Sequence, residues 1–73
     1  MSKADELWKK MNYMKSYDEA YNSIHYKHRY FEDEFVFYTD TRNIGVNAES
    51  MSLQELQAIN EKVKELRLDR RRK

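Results

Sequence analysis

The rhythm of hydrophobic and polar positions changes along this chain, and the densest stretch runs from Ile24 to Thr39 (IHYKHRYFEDEFVFYT). Six of the ten aromatic residues fall in those sixteen positions, the strongest candidate for a core. Read with a period of two, Tyr26, His28 and Tyr30 face one way and His25, Lys27, Arg29 and Phe31 the other, while Phe35 and Phe37 oppose Val36 and Tyr38. The acidic Glu32, Asp33 and Glu34 between them have poor strand propensity and read as the turn of an antiparallel hairpin, although the Gly or Asn of a tight hairpin is missing. A helical period competes. Leu7, Met14, Tyr21, His28 and Phe35 recur every seven residues, with Met11, Tyr17, Ile24, Phe31 and Tyr38 between them, and no Gly or Pro intervenes before Gly45. The hairpin is preferred because the aromatic density suits a pleated surface, and one helix of that length would far exceed the globular mean of about eleven to twelve residues. The alternative is an all-α fold.

Upstream, Ser2 stands three residues before Asp5 and precedes Leu7, Trp8, Met11 and Met14, which predicts a helix starting near Lys3. Ser16 followed by Asp18 and Glu19 reads as a second cap, so the helix is expected to kink at Lys15 and Ser16 and resume to about Ile24. Tyr13, Tyr17 and Tyr21 would then share one half-buried face. Downstream, Thr39 to Asn47 is rich in turn formers around Ile44, Gly45 and Val46, a candidate third, edge strand. The sole glycine, Gly45, is expected to serve a bulge or a positive φ. Asn47 to Met51 reads as a loop. Ser52 and Glu55 form a capping box, and Leu53, Leu56, Ile59, Val63 and Leu66 make an apolar stripe for a C-terminal helix. Its other face, with Glu55, Glu61, Lys62, Lys64 and Glu65, reads as solvated surface. The fold class is therefore α+β: a single or kinked N-terminal helix, a hairpin with a possible third strand, and an amphipathic helix closing over it. Residues 1–68 are read as one small globular domain, and 69–73 as a disordered basic tail.

Composition narrows the function classes. A chain of 73 residues buries only about 60% of its unfolded surface, and with no cysteine it has no disulfide, thiolate metal site or cysteine nucleophile. A small domain without such staples commonly leans on a partner or on a second copy of itself. The longest apolar run, Phe35 to Tyr38, is far short of the roughly twenty residues of a membrane span, and no secretory signal is visible, so no membrane role and a cytoplasmic location are expected. The net charge of +1 hides an asymmetry: residues 67–73 carry five basic side chains against one acidic, and the body carries nine against twelve.

His25 and His28 make two potential metal ligands where zinc takes four, and on a strand they point to opposite faces, so no metal or other cofactor is expected. The serines read as caps and loop residues rather than nucleophiles, and one glycine cannot build a phosphate-cradling loop, so an enzyme is not expected. Tyr, Trp, Met and Arg are the residue types enriched at protein interfaces. Partner contact is assigned to Trp8, Lys27, Arg29, Arg70, Arg71, Arg72 and Lys73. Ser16, Tyr17 and Asp18, followed by Phe37 and Tyr38, resemble the small helical Hha and YmoA nucleoid-modulating proteins only with a gap and over less than half the chain. The resemblance is not adopted; it would imply an all-helical fold and binding to a DNA-binding partner. The expected function is that of a small regulatory protein that binds a larger protein or protein–nucleic acid complex, with transcription machinery the first choice. Direct nucleic-acid binding by the basic arm and hairpin is the alternative, and a structural homo-oligomer the third reading.

Overall fold

A computed structural model describes residues 2–66, and it is α+β. Helix α1 (Lys3–Lys10) leads into four strands, β1 (Tyr13–Asp18), β2 (Ser23–His28), β3 (Glu34–Tyr38) and β4 (Asn43–Asn47), and helix α2 (Leu53–Leu66) follows. The strands form one antiparallel meander in chain order.

Each boundary has a local cause. Ser2 caps α1 by accepting from the Asp5 amide at 3.0 Å. The helix stops where Asn12 takes a left-handed φ of 68° and its amide bonds the Lys9 carbonyl at 3.0 Å. Asp18 Oδ1 accepts from the Ala20 amide at 3.0 Å and Asn22 is again left-handed, which turns β1 into β2. Arg42, left-handed as well, donates its amide to the Tyr38 carbonyl and closes the β3–β4 turn. Ser52 and Glu55 bond each other's amides reciprocally, at 2.9 and 3.1 Å, in the expected capping box of α2.

The hairpin and the further strand are present, but the first arm ends at His28, so Arg29, Tyr30 and Phe31 fall in the connection, and Glu34 opens β3 instead of closing the turn. The kinked continuation of the N-terminal helix does not form: Lys15 to Ile24 contributes β1, a turn and the start of β2. Ser16 and Glu19 supply no helix cap there, because Met14 to Asp18 finds backbone partners on Lys27 to Ser23, and that pairing overrides local helix propensity. Gly45 has neither a positive φ nor a bulge, since the β3–β4 register runs unbroken past it. A Cβ there would meet Tyr38 Cε2 at 3.5 Å and Val36 Cβ at 3.7 Å, ordinary contact distances, so neither backbone conformation nor space requires a glycine at this position.

Trp8 is the centre of the core, only 1% exposed. It stacks on Tyr26 at 4.7 Å and meets Tyr13, Phe35 and Phe37 at 5.0, 5.2 and 6.3 Å, one ring reaching three strands. Ala58 and Ile59 of α2 complete the cluster, with Leu7, Met11, Ile24, Ala48, Val63 and Leu66 packed around it. The buried side of α2 is displaced from the predicted stripe: Leu53 and Leu56 are exposed, and Lys62 is buried. Lys62 lies inside because its Nζ bonds Glu65 at 2.7 Å and Asp5 at 3.3 Å and stands 5.7 Å from the centre of the Tyr26 ring.

Candidate partner-binding surface

Strand alternation divides the sheet into two faces. Tyr13, Lys15, Tyr17, Ile24, Tyr26, His28, Phe35, Phe37, Ile44 and Val46 share the helix-bearing side, and the residues between them share the open side. The core rings on the helix side carry their polar ends to its rim. Tyr26 donates to Asp5 Oδ1 at 2.6 Å and Tyr13 donates to Glu55 Oε2 at 2.7 Å. Burial pushes both phenols well above their ordinary range, and the accepting carboxylates push them further. Burial also raises the Asp5 carboxyl, but Tyr26, Lys15 and Lys62 outweigh it and hold Asp5 at about 2.

Next to this network lies a cleft of about 290 Å³ lined by Asp5, Trp8, Lys9, Tyr13, Met14, Lys15, Tyr26 and Arg29. The amide of Arg29 bonds the Asn12 carbonyl at 2.9 Å, which ties the β2–β3 connection to the end of α1. Beyond Arg29 that connection presents Tyr30 and Phe31, 72% and 67% exposed, their rings 5.9 and 4.8 Å from His28. The His28 ring in turn meets Tyr13 at 5.0 Å, so the exposed rings, the cleft and the core are contiguous. Lys9, Lys10, Lys27 and Arg29 make no ion pair among the described residues, whereas Lys15 is engaged by Asp5 at 2.9 Å.

The residues singled out in the sequence fare differently. Trp8 lines the cleft as a core ring, because it sits on the inner face of an eight-residue helix against three strands. Its Nε1 has no hydrogen-bond partner among the described residues. Lys27 and Arg29 do not share a strand face, since β2 ends at His28; Lys27 lies on the open side opposite Met14, and Arg29 opens the turn. Arg70, Arg71, Arg72 and Lys73 lie outside the described residues. Sequence reasoning passed over Lys9, Met14, Tyr30 and Phe31. The signal for the last two was present, since aromatics beside an acidic turn at a hairpin tip have no strand to cover them.

A second constellation is on the open side. Glu34 Oε2 stands 2.8 Å from His25 Nδ1, and His25 Nε2 stands 3.0 Å from Ser23 Oγ. With the carboxylate accepting from Nδ1–H, neutral His25 accepts the serine proton at Nε2, the atom order of a serine hydrolase. Ser23 is 1% exposed, however, so no acyl group reaches its hydroxyl, and the chain of bonds acts as a clip between β2 and β3. No group of three or more metal-ligating side chains occurs among the described residues, and no described helix is long and apolar enough to cross a membrane. Compared with protein-family models, with curated proteins and with solved structures, the chain matches none.

Proposed function

We propose that this protein is a small non-enzymatic regulatory module that docks an acidic segment of a larger protein assembly. The observation that carries the reading is the juxtaposition of Lys9 and Arg29, cations without ion pairs among the described residues, with Met14 along the cleft and the exposed Tyr30 and Phe31 beside Arg29. Charges left unpaired among the described residues attract an acidic partner and set its register, and the exposed rings supply the apolar contact that makes the complex last.

The second reading, direct binding of a nucleic-acid strand, draws on the same exposed rings, on which bases could stack. Affinity capture from native extract, with and without nuclease, separates the two. Docking on protein predicts capture that survives nuclease and is lost in Lys9→Glu/Arg29→Glu. Capture that vanishes with nuclease, or tight and steeply salt-dependent shifts of bare DNA or RNA in gels, would instead establish the second reading.

A further inference from the structure

We infer that β4 is a self-pairing edge, through which two copies of this chain join their sheets into one of eight strands. The orientation of the β4 backbone comes first. His28 donates its amide to the Asp33 carbonyl at 2.9 Å, and Thr39 donates to Asn22 at 3.1 Å, both in the β2–β3 register. Hydrogen-bonded and non-bonded pairs alternate along an antiparallel ladder, so the peptide groups of Phe35 and Phe37 turn toward β2 and those of Val36 toward β4. Carried across the β3–β4 register, this leaves the amides and carbonyls of Ile44 and Val46 pointing outward along the edge.

The second copy is the occupant because the strand is its own complement. Asn43–Ile44–Gly45–Val46–Asn47 reads almost identically in both directions, so antiparallel pairing about Gly45 sets Ile44 against Val46 of the second copy and Asn43 against its Asn47. The outward peptide groups of Ile44 and Val46 then become the bonded pairs, and Gly45 meets Gly45 on the two-fold axis. On the helix side the row Tyr26, Phe35, Val46 continues into Ile44, Phe37 and Ile24 of the second copy. That row covers Ile44 and Val46, which stand 37% and 49% exposed in the single chain.

The edge also lacks the devices that normally prevent such pairing. No charged residue, proline or bulge interrupts β4, whereas the opposite edge, β1, carries Lys15 and Asp18.

The test is the solution mass of the whole chain by sedimentation, from micromolar to millimolar concentration. Pairing predicts a rise from 9.0 kDa to twice that value. Asn43 and Asn47 are exposed on the open side, so charges placed there leave the core untouched. Asn43→Lys/Asn47→Lys sets like charges opposite each other and should remain a monomer; Asn43→Glu/Asn47→Lys sets opposite charges there and should restore the doubled mass. On the unaltered chain, hydrogen exchange at the Ile44 and Val46 amides should slow with concentration. A chain that stays at single mass throughout, a double-lysine variant that still doubles, or a charge-swapped variant that stays single would each overturn the inference.

Discussion

Asp5 is the residue on which the two helices and the sheet converge. It supplies the amide that Ser2 caps, and its carboxylate receives Tyr26 from β2, Lys15 from β1 and Lys62 from α2. Its pKa is depressed from 3.8 to about 2, so the associated stability is fully present above 3.8 and is lost as pH falls through the lower value. The gap corresponds to about 2 kcal/mol. Glu65, raised by burial but lowered further by Lys62, loses its contribution over the same acid limb. Asp5→Asn should lower the urea midpoint at neutral pH and flatten the decline of stability toward about pH 2. An unchanged acid slope in that variant would place the titrating group elsewhere. None of this network was legible beforehand: Asp5 reads as a helix-start acid, Lys62 as surface, and only packing reveals that they meet.

At the scale of the element, the turns decide the fold as much as the strands do. Asn22 holds a left-handed φ, and its side chain receives Tyr17 Oη–H at 3.2 Å while donating to Asp40 at 2.7 Å. Its carbonyl accepts both the amide and the hydroxyl of Thr39. Asn22→Ala should cost about 1–2 kcal/mol, read as a fall in thermal midpoint, from the strain of a Cβ at that φ and the lost side-chain bonds. Asn12→Ala, whose side chain makes no hydrogen bond among the described residues, should cost less. Equal losses at the two positions would show that the bonds of Asn22 contribute nothing. The kinked-helix expectation failed in this region because Tyr13, Tyr17 and Tyr21 fit a helical face as well as a strand. What separates the two is the neighbour available for pairing, which a single sequence does not display.

For the whole molecule, one ring joins the layers. Trp8 touches Tyr13, Tyr26, Phe35 and Phe37, so its removal detaches α1 from β1, β2 and β3 together. Trp8→Ala should cost about 3–5 kcal/mol, a large share of the stability of a small domain, and should give a broad or absent unfolding transition by circular dichroism. Trp8→Phe should keep a cooperative transition at a lower midpoint. If the alanine variant unfolds as sharply and as late as the parent, the core is organised around something else.

The sequence by itself determined the elements whose signals are local: the Ser2 cap, the Ser52–Glu55 box, the hairpin around its acidic turn and the apolar Ile44 to Val46 strand. Those depend on residues within a few positions of one another, so the chain displays them directly. Tertiary structure alone decided that Tyr13 to Asp18 is a strand, that Trp8 and Lys62 lie inside, and that Arg29 and Lys9 border one cleft. The strand rests on pairing with its neighbour β2 and the others on partners far along the chain, and both are settled by which surfaces close over one another rather than by local preference.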